Sequence, residues 1–264
     1  MYSMEHQIYL KKQKKLKRLV ILTQIMIIAF FLFLWQFLAD MEYINTFIFS
    51  SPRNIINTLV TLHQTNNIYH HIWVTIYETM ISFSLGTVLG IFVATILWRY
   101  PFIARVMDPY LTIINSLPKV ALGPIIIIWV GANMNSIIFM ALLISVIVTI
   151  MNIYQGFCEI DSNKIKLLKS LGAKEWQIYT NLILPGSIHT IISTLKINVS
   201  MSLVGIIMGE FLVSKEGIGY LIMYGSQVFN LNLVITGIFI LCIVAVVMYY
   251  AVFYFEKITT GKYR

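Results

Sequence analysis

Six apolar runs, separated by short polar stretches, dominate this chain: Val20 to Leu38, Ile72 to Leu97, Tyr110 to Val130, Ser136 to Tyr154, Ile188 to Leu212 and Leu233 to Phe255. A helix needs about 20 mostly apolar residues to cross the hydrocarbon core of a bilayer. A barrel strand would instead show about ten residues of alternating character. Lipid offers no partner to a backbone N–H or C=O, so runs of this length must satisfy those groups within helices. The expected fold is therefore all-α and integral to a membrane, with six transmembrane helices. The third run carries Pro118, Lys119, Gly123 and Pro124. It is expected to bend, with an interfacial stretch near Pro101 as an alternative start.

Composition closes the other routes. Of 264 residues, 58% are hydrophobic and 11% charged, with a mean hydropathy of +0.80. Soluble domains carry about 25% charged residues, so a soluble enzyme, a disordered tail and a coiled coil are excluded. Two cysteines, Cys158 and Cys242, cannot make a disulfide framework. Cys242 lies inside an apolar run and reads as a small buried hydrophobe.

The net charge of +8 reflects topology rather than nucleic acid, which is not an expected partner. Lys11, Lys12, Lys14, Lys15, Lys17 and Arg18 precede the first run, and Arg99 and Arg105 follow the second. Lys164, Lys166, Lys169 and Lys174 follow the fourth, and Lys257, Lys262 and Arg264 close the chain. Together these are fifteen of the nineteen Lys and Arg residues. The positive-inside rule puts all of these stretches, and hence both termini, in the cytoplasm. The basic start resembles a signal peptide, but its apolar run is too long and no A-x-A-like site follows. An uncleaved first span is expected.

Ser51-Pro52 opens a short helix with Pro52 in its first turn. Its residues Ile55, Ile56, Leu59, Val60 and Leu62 are expected to rest on the outer interface. The chain thus divides into residues 1–68, with the basic N-terminus, first span and interfacial helix, and a core of residues 69–264.

Small residues mark the helices expected to pack. Ser82, Gly86, Gly90 and Ala94 recur at intervals of four, and Ala141, Ser145 and Thr149 repeat the pattern in the fourth run. Ser202, Gly205 and Gly209 follow in the fifth. Such spacing lets membrane helices approach closely where lipid gives no hydrophobic drive to association. The first run has only Ala29 and is expected at the lipid-facing rim.

Between the fourth and fifth runs, residues 157–187 form a cytoplasmic loop with two expected helices. Ser162-Asn163 can cap the first, with Ile165, Leu167, Leu168 and Leu171 as its apolar side and Lys164, Lys166 and Lys169 outward. Gly172 permits a sharp turn. A second helix is expected over Lys174 to Leu182, with Trp176, Ile178 and Tyr179 exposed or half-buried, stopped by Leu184-Pro185-Gly186. Read alone, such a cationic pair is equally compatible with lying on the inner leaflet.

The spacing of this loop resembles the coupling motif of bacterial ABC importer permeases, Glu-Ala-Ala-x3-Gly-x9-Ile-x-Leu-Pro. Lys166-Leu167-Leu168 stands at the Glu-Ala-Ala position, with Gly172, Ala173, Trp176, Leu182, Leu184 and Pro185 following. Elsewhere, Pro118-Lys119-Val120-Ala121-Leu122-Gly123-Pro124 and Trp129-Val130-Gly131 resemble a signature of the nitrate/sulfonate/taurine branch of binding-protein-dependent permeases. Gly209-Glu210-Phe211 with Glu216-Gly217-Ile218-Gly219-Tyr220-Leu221, and Ser51-Pro52, are similar to further segments of that branch. The resemblance covers roughly residues 50–255. It implies a core like the methionine-importer permease fold in a bacterial cell membrane. It also implies a second permease copy, ABC ATPase subunits docked on the 157–187 loop, and an extracytoplasmic solute-binding protein. The solutes implied are sulfonates, taurine, nitrate, riboflavin or thiamine-precursor pyrimidines.

The chain has no G-x-x-x-x-G-K-[ST] run, H-E-x-x-H motif or cysteine cluster, so neither a nucleotide site of its own, a metal nor a cofactor is expected. His70 and His71 are adjacent and point about 100° apart on a helix. Glu78, Lys119, Lys196 and Glu210 lie within spans, where ionisable groups are functional candidates by default. Lys196 has the option of snorkelling. Glu78, Pro118, Lys119 and Glu210 are the candidates for a solute pathway. The alternative to an ATPase-driven permease is an ion-driven secondary transporter with Glu78 as its central acid; a scaffold without transport is a third reading.

Overall fold

The computed structural model describes residues 4–65 and 67–260. Lys262 and Arg264, used above for orientation, lie outside the described residues, as does the side chain of Lys11. All regular structure among the described residues is helical: α1 (Met4–Asp40), α2 (Thr46–Phe49), α3 (Pro52–Gln64), α4 (Asn67–Arg99), α5 (Pro101–Ser116), α6 (Gly123–Val130) and α7 (Met134–Cys158) in the first part. Then follow α8 (Ser162–Ser170), α9 (Glu175–Ile178), α10 (Leu184–Gly186), α11 (Ile188–Val213), α12 (Ile218–Gln227) and α13 (Leu231–Thr260).

Five of these helices, α1, α4, α7, α11 and α13, are long and apolar enough to cross a membrane unbroken. The third apolar run is not one helix. It belongs to a pair, Pro101–Ser116 and Lys119–Val130, bent by 85°, which makes a sixth span if counted as one. The cause is local. A residue before proline is pushed out of the helical region, and Leu117 is extended at φ −66°, ψ 140°. The helix therefore ends at Ser116, and a 3-10 turn over Lys119–Leu122 leads into α6.

α4, α7 and α11 form the packed centre. Ser82, Ala94, Ala141, Ser145, Thr149 and Ser202 are all fully buried there. A Cβ on Gly86 would lie 2.8 Å from Ser145 Oγ, one on Gly209 would lie 2.8 Å from Ile137, and those on Gly90 and Gly205 would collide with Thr149 and Ala141. The small residues are what let the three backbones come this close, and close approach is where dispersion contact between membrane helices is gained. At mid-length Asn198 is buried, and its Nδ2 donates to Thr87 Oγ1 at 2.7 Å and to the Phe83 carbonyl at 3.3 Å.

α1 differs from the rest. It runs through the basic stretch as one helix of 37 residues, about 56 Å at 1.5 Å per residue. Residues 12–34 are exposed on every side. Contact begins at its far end, where Ala39 is buried and Gln36 Oε1 accepts a hydrogen bond from Arg53 N. Ser51 caps α3 by accepting from Asn54 N at 3.2 Å. Ile55 of α3 is buried, Leu59 and Leu62 pack on the core, and Ile56 and Val60 face outward. Cys242, expected to be buried, is exposed on α13.

Candidate functional site

Helices α8 to α10 project from one end of the bundle, the loop end. Asp161 caps α8, its Oδ1 accepting from Asn163 N at 2.8 Å, rather than the Ser162-Asn163 pair expected. The helix closes in a Schellman turn: Gly172 N donates to Lys169 O and Ala173 N to Leu168 O, both at 3.0 Å. Gly172 holds φ +80°, a region that L side chains avoid. Ala173 and Leu168 are half-buried against the core, as the motif's apolar contact requires.

The second helix departs from the sequence expectation in two ways. First, Ile178 and Tyr179 are buried rather than half-exposed. The Tyr179 ring sits 5.6 Å from Trp98, 5.9 Å from Phe157 and 5.5 Å from Trp176, and its hydroxyl is 2.8 Å from Thr95 Oγ1. Second, Leu184-Pro185-Gly186 does not stop the helix. Pro185 has no N–H to give, and the preceding turn, Tyr179–Ile183, widens to a π-helix in which Leu184 N reaches Tyr179 O. A widened turn is one way a helix accommodates a proline. The chain stays helical to Gly186, and Ser187 Oγ donates to Gly156 O at 3.0 Å. Leu182 and Leu184 are half-buried against the same cluster.

The other face of this loop is uncovered. Leu167 is 60% exposed, Leu171 74% and Trp176 68%. Leu167 and Leu171 therefore do not join Ile165 and Leu168 on the inward side as expected. Lys166 points to solvent, and Lys169 Nζ pairs with Glu175 Oε1 at 3.0 Å. A rigid inner face thus presents an apolar outer one.

At the opposite end, the cap end, the first turn of α12 is received by two other helices. Gly217 N donates to His71 Nδ1 at 3.0 Å, Ile218 N to Thr75 Oγ1 at 2.8 Å, and Gly219 N to Glu210 Oε2 at 2.5 Å. Thr75 Oγ1 passes its own hydrogen to Glu210 Oε1 at 2.7 Å. A helix N-terminus leaves backbone N–H groups without partners, and the Glu210 carboxyl, 1% exposed, accepts there from within the chain. Gly217 adopts φ +98°, and a Cβ there would strike the Glu210 carboxyl. The Glu…Gly-Ile-Gly segment is thereby explained as one capping device. Glu210 was expected as a pathway candidate; the structure seats it beneath α12.

Glu78, 3% exposed, lies against Glu210 and borders a cavity of about 500 Å³ with Trp73, Tyr77, Asn133, Ser214 and Glu216. His70 and His71 diverge as their adjacency dictates: His70 Nε2 pairs with exposed Glu216 Oε2 at 3.0 Å, while His71 is buried. At the break after α5, Lys119 Nζ donates to Asn115 O at 3.0 Å and to Asn115 Oδ1 at 3.2 Å. It satisfies a carbonyl that the broken helix leaves free. Lys196 has a partner: its Nζ pairs with Glu256 Oε2 at 2.6 Å, past the end of the last span, and lies over the Phe253 ring. No group of three or more metal-ligating side chains occurs among the described residues.

Residues 86–260 match the family model for the inner membrane component of binding-protein-dependent transport systems. The chain belongs to this family. A Haemophilus influenzae protein named "Probable ABC transporter permease protein" is 26% identical over 88% of this chain and 94% of its own length. The taurine transport system permease protein of Escherichia coli is 23% identical over 83% of this chain and 81% of its own. The solved structure of the MetNI methionine ABC transporter in inward-facing form superposes with a TM-score of 0.63 at 18% identity, covering 71% of this chain and 93% of that one. This likeness is one of fold. The chain is thus a multi-pass inner membrane component with the helical permease architecture.

Three features of this family member escaped sequence reasoning. Asn198 carries no charge, so it does not stand out among the ionisable residues of the spans. The pairing of Lys196 with Glu256 was hidden because the partner lies sixty residues on, near the end of the last span. The polar residues of α5 are hidden because the third apolar run begins at Tyr110, inside the helix, which conceals its phase.

Proposed function

We propose that this chain is the membrane-spanning permease subunit of an ABC importer, forming with a second copy the route for a small solute and coupling to ATPase subunits through residues 157–187. The observation that carries the reading is the loop itself: Leu167, Leu171 and Trp176 lie bare on a hairpin whose other side is locked to α4 and α7 by Ile178 and Tyr179. A handle must be rigid toward the pore and adhesive toward the motor, and this one has both properties. Exposed large apolar groups clustered on a membrane protein's aqueous side mark an interaction surface. The motif residues Lys166, Leu167, Leu168, Gly172, Ala173, Trp176, Leu182, Leu184 and Pro185 are assigned to this coupling.

The lysine-rich loop supports a cytoplasmic position for this end and for both termini. The cap end then faces outward, where an extracytoplasmic binding protein would deliver solute to the cavity beside Glu78. ATP-driven closure of the ATPases would be carried by the loop into a tilt of the spans, the alternating exposure of one central route. Glu78, Pro118 and Lys119 are assigned to that route, and Glu210 to holding α12. Residues 1–68 are assigned a peripheral role around a core of 69–264, consistent with the exposure of α1. Sulfonates, with taurine as the first to try, are the solute class supported by the taurine relative; thiamine-precursor pyrimidines and nitrate are next.

The experiment is reconstitution in proteoliposomes with the ATPase and binding protein from the same genome, with labelled taurine outside. ATP-dependent uptake is expected, together with stimulation of ATP hydrolysis, and Leu167→Asp/Trp176→Asp is expected to abolish both. Because both side chains are exposed, this variant keeps its fold. Unaltered coupling in the double variant overturns the reading. Uptake driven by an ion gradient with no ATPase present replaces it with a secondary carrier.

A further inference from the structure

α5 is amphipathic, although it lies in a membrane-crossing pair. At 100° per residue, Asp108, Thr112, Asn115 and Ser116 fall within one arc of about a third of the helix, and Arg105 lies within the same arc. Phe102, Val106, Tyr110 and Ile113 fall on the opposite arc. Ala104 and Leu111 alone turn inward, against α4 and α7. Both outer arcs are exposed, and so are all four polar residues named first.

Hydrocarbon makes these arcs unequal. An ionised or amide side chain facing lipid is costly, and polar groups within spans face the protein or a water-filled cavity. The hydroxyls hydrogen-bond their own helix, Thr112 Oγ1 to Asp108 O at 3.0 Å and Ser116 Oγ to Thr112 O at 2.9 Å. The Asp108 carboxylate and the Asn115 amide are not absorbed in that way. The same face ends at the break where Lys119 is held on Asn115. An ammonium has three donors, and two are directed at Asn115, so one remains for a passing group.

We propose that the polar arc of α5, Asp108-Thr112-Asn115-Ser116, lines the aqueous route, with Lys119 at its end as the cationic step that favours solutes carrying an anionic group. This rests on the permease reading and adds to it the wall of the route and the charge it prefers. Arg105 and Asp108 carry opposite formal charges one turn apart on this wall, and Lys119, just past the break, is the next full charge along it. Both of its hydrogen bonds go to uncharged oxygens of Asn115, so they leave its formal charge for the solute. A sulfonate or carboxylate group fits such a step; a bare organic cation does not.

The test reads water access and charge preference directly. Single cysteines are placed at Thr112 and Ser116 on the polar arc and at Tyr110 and Ile113 on the apolar arc of the full permease–ATPase complex in liposomes. Membrane-impermeant methanethiosulfonates of opposite charge, the ethylsulfonate and the ethyltrimethylammonium, are the probes. Labelling is counted above that of the parent, whose exposed Cys158 and Cys242 set the background. Thr112→Cys and Ser116→Cys are expected to react several-fold faster than Tyr110→Cys and Ile113→Cys. At Ser116→Cys the anionic reagent is expected to outpace the cationic one relative to their rates with free thiol, and Lys119→Gln to remove that preference. Equal labelling of the two arcs overturns the wall. A preference untouched by Lys119→Gln overturns the cationic step. Taurine uptake by the parent, measured alongside, tests the permease reading separately, since the labelling pattern is obtained whether or not taurine is the solute.

Discussion

At the cap end, three successive backbone N–H groups of α12 end on His71, Thr75 and Glu210, side chains from α4 and α11. At the loop end, Ile178, Ile183 and Phe157 are buried together, and Tyr179 lies among three aromatic rings with one hydroxyl contact. Both regions tie α4 and a second long helix, α11 at the cap end and α7 at the loop end, to a shorter element. One does so through directional bonds to a buried carboxyl, the other through contact area. The difference teaches what each end tolerates. A hydrogen-bonded cap fails when one atom changes its donor or acceptor character, whereas a packed joint fails only when volume is removed.

The largest effect is expected at the joint. Tyr179→Ala removes a ring packed on Trp98, Phe157 and Trp176 and should cost about 3–5 kcal/mol, read as a fall in the thermal midpoint of the purified chain in detergent. Tyr179→Phe keeps the volume, drops one hydroxyl contact and should cost about 1 kcal/mol. At the cap the near-isosteric change is the damaging one. Glu210→Gln turns an acceptor into a donor facing either Gly219 N–H or the Thr75 hydroxyl, and should cost about 1–3 kcal/mol. The comparison breaks if Tyr179→Phe proves as costly as Glu210→Gln. It sharpens if Thr75→Val, which removes the relay between Ile218 and Glu210, matches Glu210→Gln and does not add to it, as expected for members of one network.

Much of this architecture is legible in the chain. Apolar run length gives the spans, because the bilayer sets one length scale for every helix. Four-residue spacing of Ser82, Gly86, Gly90 and Ala94 gives the packed face of α4, because a helix repeats its face at that interval. The Gly172 turn is visible because few other residues accept its backbone angles. What stays hidden is partnership across long sequence separations. Glu210 reads as a charge near a span end until Thr75, 135 residues away, is brought within 2.7 Å. Lys196 reads as a cation with no partner until Glu256, sixty residues on, is brought within 2.6 Å. The bend at Leu117–Pro118 is announced by proline, but its 85° angle is set by what α6 packs on: a Cβ on Gly123 would meet Leu212 and lie 3.4 Å from Met140 Sδ.

The smallest effect on stability carries the most about coupling. Gly172 has open space around it, with nothing within 4 Å of an added Cβ, so Gly172→Ala meets no clash and costs only the left-handed backbone, about 1 kcal/mol. That cost is local to the turn between α8 and α9, and Ile178 and Tyr179 should keep their places. The thermal midpoint of the whole chain should therefore move less than for Tyr179→Phe or about equally. Yet the turn fixes the angle at which Leu167 and Leu171 stand relative to Trp176. If these three act as one surface, Gly172→Ala should reduce stimulation of ATP hydrolysis out of proportion to its effect on folding. Tyr179→Phe, similar in stability cost, should leave that stimulation nearly intact. Equal losses of stimulation in the two variants would mean that the loop transmits through its anchoring rather than through the geometry of its exposed face.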